Sequence, residues 1–197
     1  MRDGEPSEMT SLFAFNLTEH RTLFVQLDAL EAEVERAGET IARALEAGGK
    51  LLVCGNGGSA ADSQHIAAEL TGRFIRDRRP LAAIALTTDT SALTSIANDY
   101  AFDDVFARPV RALGRAGDVL LGISTSGNSA NVLRAVDAAR ELGITSIGLL
   151  GRDGGALRTR CDQAIVVPST TTARIQEAHI LIGHTLCGLV EQKLGLA

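Results

Sequence analysis

The sequence contains no tryptophan, one tyrosine and four prolines, and aromatic residues fill only 4% of its 197 positions. A chain so poor in large rings must build its core from small and branched aliphatic side chains, and its 45% hydrophobic content supplies them for helices packed on a sheet. Cysteine is scarce too. Cys54, Cys161 and Cys187 are odd in number, far apart and set in apolar runs, which suits reduced core thiols better than disulfides or a metal knuckle. No run approaches the ~18 uninterrupted apolar residues of a membrane span. Residues 1–10, MRDGEPSEMT, are polar and lack the apolar stretch of a signal peptide, so they read as a tail ahead of one domain over 11–197. These absences predict a cytoplasmic protein. Basic surface is missing as well: the net charge is −5, and the longest basic cluster, RFIRDRRP, is interrupted by Asp77 and reads as a solvated helix end. Nucleic acid is therefore not expected as a direct partner.

Five short apolar runs are present, LLVC from 51, AAIAL from 82, VLLGI from 119, TSIGLL from 145 and AIVV from 164, most of them separated by helical patterns. Strands alternating with helices predict an α/β fold, a doubly wound parallel sheet with helices on both faces. Ahead of it, Leu23, Leu27, Leu30, Val34, Ala37, Ile41 and Leu45 keep helical spacing up to Gly48 and Gly49, which predicts one long helix or two. That stripe is long enough to need a partner surface, so an oligomer is expected. A last amphipathic helix is predicted from about Ala173 to Leu194.

Two strand–loop–helix units echo each other, LLVCGNGGSAADSQHIAAEL and LLGISTSGNSANVLRAVDAA. In the second, a buried strand runs into Ser124, Thr125, Ser126, Gly127, Asn128 and Ser129, and a helix starts there. Unpaired N–H groups at a helix start, ringed by hydroxyls, make an anion cradle without a fixed positive charge. Alternatively Ser129 only caps the helix and the rest is loop, but a cap needs one hydroxyl and four are supplied. The two loops read as lips of one crevice. GNGGSA also fits the G-x-G-x-x-A form of a dinucleotide fingerprint, with Asp89 near the end of the next strand as the ribose acid. That alternative leaves STSGNS unused and no room for a substrate domain. Neither loop carries the Gly-Lys-Ser/Thr ending of a Walker site.

Titratable residues gather beside these loops. His65 and Glu69, four apart, share a helix face about 6 Å apart along the axis. The last helix carries Gln176, Glu177, His179 and His184, with Gln176 and His184 on one side about 12 Å apart. Each alone could be an ordinary boundary residue. Together, His65, Glu69, Gln176 and His184 make a donor set suited to a divalent ion such as zinc, provided the helix is distorted near Gly183 or the site is loose.

The blocks CGNGGSAADSQHIAAELTGRF, LTTDTSALTSIANDYAFDDVFARPVRALGRAGDVLLGISTSGNSANVLRA and RIQEAHILIGHTLCGLVE, matching in order from about residue 12 to the end, resemble the phosphoheptose isomerases of the sugar isomerase (SIS) domain class. The resemblance implies a five-stranded flavodoxin-like sheet and a homotetramer with sites between subunits. It implies sugar-phosphate binding at Asn56, Gly57, Gly58, Ser59, Asn98, Asp99, Ser124, Thr125, Ser126 and Ser129, with Glu69 and Gln176 also at the substrate. It further implies one zinc per subunit on His65, Glu69, Gln176 and His184, and an acid/base pair of Glu69 and His184. The implied reaction turns sedoheptulose 7-phosphate into D-glycero-D-manno-heptose 7-phosphate for nucleotide-heptose and surface-glycan synthesis. Non-catalytic tetramers that bind the replication initiator protein look similar throughout, but carry non-titrating residues where this chain has Glu69 and His184. The STSGNS loop is also the enzyme form. An enzyme is the expectation.

Overall fold

The computed structural model describes residues 11–197, and the polar tail over 1–10 lies outside the described residues. All five expected strands form: β1 (Leu51–Gly55), β2 (Ala83–Ala85), β3 (Val119–Ser124), β4 (Thr145–Gly151) and β5 (Gln163–Val167). They pair in parallel in the order β2-β1-β3-β4-β5. This is the flavodoxin-like order, whose reversal point lies between β1 and β3. Ligands of such sheets bind at the carboxyl ends of the strands at that point, and both sequence lips leave the sheet there.

Alternating strand residues feed two cores. Leu51, Val53, Leu121, Ile123, Ile147 and Leu149 face one layer of helices, and Leu52, Cys54, Leu120 and Leu150 face the other. The first layer holds α1 (Leu12–Gln26), α2 (Glu31–Glu46), α3 (Gly58–Thr71) and α8 (Thr172–Lys193). The second holds α4 (Thr90–Asp99), α5 (Ala107–Leu113), α6 (Ala130–Glu141) and the short α7 (Leu157–Arg160). The amino-terminal pattern resolves into two helices, α1 and α2, joined by a 3₁₀ turn at Leu27–Leu30.

The amino-terminal stripe finds its partner within the chain. Leu23, Val34, Ala37, Ile41 and Leu45 are buried with Ile182, Leu186 and Leu189 of α8, and Leu27 and Leu30 pack against the same core. The expectation that this stripe needs a second copy is thereby corrected: α8 returns to cover it. The large apolar side chains that stay exposed on α1 are Leu12, Phe13, Phe15 and Val25, distributed around the helix.

The helix α8 runs unbroken from Thr172 to Lys193, so the distortion expected near Gly183 does not occur. Gly183 acts as a contact point instead. A Cβ there would stand 2.9 Å from Ile66 Cδ1, so the missing side chain lets α8 lie against α3. The three cysteines are free, with Cys54 and Cys187 buried and Cys161 half-buried. No helix among the described residues is long and apolar enough to cross a membrane.

Candidate active site

The β1 strand ends in Gly55, and Asn56 and Gly57 turn the chain into α3. Gly57 holds φ +56° at the helix start, a conformation that favours glycine, and no side chain caps the helix. The second lip is built alike: α6 begins at Ser129 with no side-chain cap. The capping reading of Ser129 is therefore set aside, because its hydroxyl is spent elsewhere. Ser129 Oγ lies 2.8 Å from Ser124 Oγ, which stands 3.4 Å from Ser126 Oγ and accepts the Gly127 N–H at 3.1 Å. Three hydroxyls thus point at one another beside the free amides of a helix start, the arrangement an anion cradle needs. Thr125 is half-buried in the same loop.

Gly127 fixes the loop's path at φ +66°, and a Cβ there would collide with the Gly154 carbonyl. The turn after β4 braces it further: Leu157 N–H donates to the Gly127 carbonyl, and Ala156 N–H to Asn128 Oδ1. The lips are tied by a pair of amides, in which Asn56 and Asn131 each donate to the other's oxygen at 2.9 Å. Asn131 was not singled out by its sequence context, because an asparagine in a first helical turn carries no local signal of a partner 75 residues away. Ser59 is buried just behind the lip, and Gly58 leaves room for the Gln176 side chain, whose amide lies where a Cβ would project.

His65 and His184 meet across the α3–α8 contact with their Nε2 atoms 2.8 Å apart. One ring must donate and the other accept, so at most one of the two Nε2 atoms carries a proton. Glu69 Oε1 stands 3.5 Å from His65 Nε2, and the Phe74 ring stacks on His184 with centroids 5.7 Å apart. Two imidazoles and a carboxylate therefore converge on one partly exposed point. Their kinds suit zinc. Their spacing is that of a hydrogen bond, shorter than the ~3.3 Å between two nitrogens on one tetrahedral zinc, and among the described residues no group of three or more His, Cys, Asp or Glu stands in an arrangement that could hold a metal ion. Gln176 is two turns away along the straight α8, at the Gly58 lip, and makes no hydrogen bond to the imidazole pair. Asn98 and Asp99 pair with each other at 2.8 Å at the exposed end of α4, with no hydrogen bond to either lip.

Nearby groups tune the setting. Asp62, one turn before His65, keeps a buried Oδ2 without a partner, and burial raises its pKa while His65 pulls it down. Its spacing of three and seven residues from His65 and Glu69 was the available sequence signal. Burial, then the charges of Glu69 and Glu191, push the Cys187 thiol up to about 12, so it stays a protonated filler. His179 faces away from the pair: it is fully buried, its Nε2 donates to the Leu150 carbonyl, and burial lowers its pKa to about 4. Asp89 is a helix cap, accepting the Ala92 N–H at 2.9 Å, which removes the ribose role from the dinucleotide alternative. An open cavity of about 800 Å³ beside β2, lined by Ile84, Leu93, Ile96 and Leu113, includes Asp89 but none of the sugar-phosphate, zinc or acid/base residues that the resemblance implies.

The reading of RFIRDRRP as a solvated helix end is corrected at Arg78. Its side chain is 2% exposed and donates to Glu191 at 2.8 Å. A charge is buried here because a carboxylate 113 residues away is buried with it, which no local pattern reveals.

The SIS domain family model matches residues 17–151. A phosphoheptose isomerase of Campylobacter jejuni subsp. jejuni serotype O:6 is 53% identical over 184 residues, covering 93% of this chain and 99% of the relative. The chain belongs to the phosphoheptose isomerases of the SIS domain family. That of Rhodospirillum rubrum is 55% identical over 171 residues, covering 87% of this chain and 91% of the relative. The solved phosphoheptose isomerase of Neisseria gonorrhoeae superposes with a TM-score of 0.87 at 51% identity, covering 91% of this chain and 97% of that one. Membership of the phosphoheptose isomerases makes the chain a sugar-phosphate isomerase, an enzyme rather than an adaptor.

Proposed function

We propose that the chain interconverts sedoheptulose 7-phosphate and D-glycero-D-manno-heptose 7-phosphate through an enediol, supplying nucleotide-heptose and surface-glycan synthesis. The observation that carries this reading is the meeting of His65, Glu69 and His184, in a chain whose two uncapped helix starts leave the sheet at its reversal point. An aldose–ketose exchange must remove a proton from one of two adjacent carbons, return one to the other, and polarise the oxygens. Glu69 serves as the base that takes the C1 proton and delivers one to C2. His184, sharing a hydrogen bond with His65, moves the proton on oxygen. The Ser124, Thr125, Ser126 and Ser129 cradle and the Asn56–Ser59 lip hold the phosphate and the sugar hydroxyls, with Gln176 closing over Gly58. Asn98 and Asp99 would reach the sugar from the end of α4.

His65, Glu69 and His184, with Gln176 as the further donor, would hold zinc, which when bound polarises a carbonyl oxygen as a Lewis acid. We also propose a cytoplasmic homotetramer, its sites shared between subunits, with the exposed apolar residues of α1, Phe13 and Phe15 among them, at one contact.

Purified protein should convert sedoheptulose 7-phosphate to the aldose heptose phosphate, and a chelator should suppress the conversion, as read by separating the two esters. No product under any metal condition would overturn the reading.

A further inference from the structure

The carboxyl end of α3 is closed by one guanidinium. Arg78 Nε donates to Glu191 Oε1 at 2.8 Å, Nη2 donates to the Glu69 carbonyl at 2.7 Å, and Nη1 donates to the Leu70, Gly72 and Arg79 carbonyls at 2.8, 2.9 and 3.1 Å. Helix ends leave such carbonyls without internal partners. The same Glu191 oxygen accepts the Phe74 N–H at 3.3 Å, and Phe74 is the ring stacked on His184. Glu191 itself stands two turns after His184 on α8. One buried pair thus touches the backbone of Glu69 and, through Phe74, the face of His184.

We propose that Arg78 is a positioning residue for the reaction: with Glu191 it holds the Glu69 turn of α3 and the His184 ring in a single register. This rests on the reading of Glu69 and His184 as the acid/base pair. The ion pair alone gives little reason of stability for the arrangement, since a buried pair can often be exchanged for apolar side chains at no cost, and the carbonyl bonds stabilise the helix end in either role. Geometry gives a strong one. The planar fork of arginine reaches four carbonyls and a carboxylate at once, and the point charge of lysine cannot.

The test compares wild type with Arg78→Met/Glu191→Met, which removes the pair without leaving a lone buried charge, and with Arg78→Lys, which keeps the charge. Melting, kcat, KM and the ring-proton NMR shifts of His184 are measured on each full-length chain. The double variant is expected to melt cooperatively while kcat falls about tenfold or more, the cost of sub-ångström misplacement, with KM within about twofold. The His184 resonances should lose the displacement caused by the Phe74 ring. Arg78→Lys should not rescue kcat, and it carries the same comparison if the double variant does not fold. A folded variant with wild-type kcat would overturn the proposal, as would unmoved His184 resonances. If the wild type itself does not turn over the sugar, the functional reading has failed, while the His184 resonances still decide whether Arg78 sets that ring.

Discussion

Three of the four histidines occupy the two helices that frame the site, yet they do different work. His65 and His184 meet at 2.8 Å, while His179 is sealed in the core with one nitrogen on the Leu150 carbonyl. Because burial holds His179 at about 4, against an ordinary value near 6.5, the folded state binds fewer protons than the unfolded chain across that interval. Stability from this group is complete above pH ~6.5 and is lost as pH falls toward ~4, by at most about 3 kcal/mol. Denaturant melts at pH 7 and pH 4.5 should show a larger fall for wild type than for His179→Gln; equal falls would place the acid sensitivity elsewhere. The residues at helical spacing, His65 with Glu69, were legible in the sequence because a four-residue step fixes a shared face. Arg78 was not, because nothing within RFIRDRRP says which arginine meets a buried carboxylate on another helix.

Among the elements, the two lips carry the recognition. Ser124 and Ser126 sit in a loop whose shape is set largely by Gly127 and the turn after β4, so their hydroxyls can be removed without losing the loop's main supports. Changing both to Ala should raise KM for the sugar phosphate markedly while costing about 1 kcal/mol of stability per hydroxyl. Isothermal titration alongside thermal melts checks this, and unchanged affinity with a large loss of stability would make the hydroxyls structural. All five strands were readable as apolar runs, since parallel strands are buried on both faces. The edge strand β2 shrank to three residues, because only β1 pairs with it. The break between α1 and α2 was not readable: the apolar spacing continues through Leu27 and Leu30 although the helix does not.

For the whole molecule, the separation of layers explains why one crevice results. The crossover from β1 goes to α3 on one face and that from β3 to α6 on the other, so the lips open apart at the reversal point and are rejoined by Asn56 and Asn131. Strand order could be expected only through the family resemblance, because the pairing of runs dozens of residues apart leaves no mark in either run. The quaternary expectation changed its basis once α8 proved to cover the Leu23–Leu45 stripe. It now rests on the exposed apolar side chains of α1, and light scattering at micromolar concentration should give a tetramer that Phe13→Glu with Phe15→Glu weakens. A monomeric wild-type mass would contradict it.

The central claim, that Glu69 moves a proton between adjacent carbons of a sugar phosphate, is tested most directly by proton NMR of sedoheptulose 7-phosphate incubated with the protein in heavy water. The account predicts an aldose product with deuterium at C2, and a rate about a hundredfold or more lower for Glu69→Gln, the usual contribution of a positioned base. A sugar that keeps all its carbon-bound hydrogen and yields no product, or a Glu69→Gln variant that exchanges as fast as wild type, would contradict it.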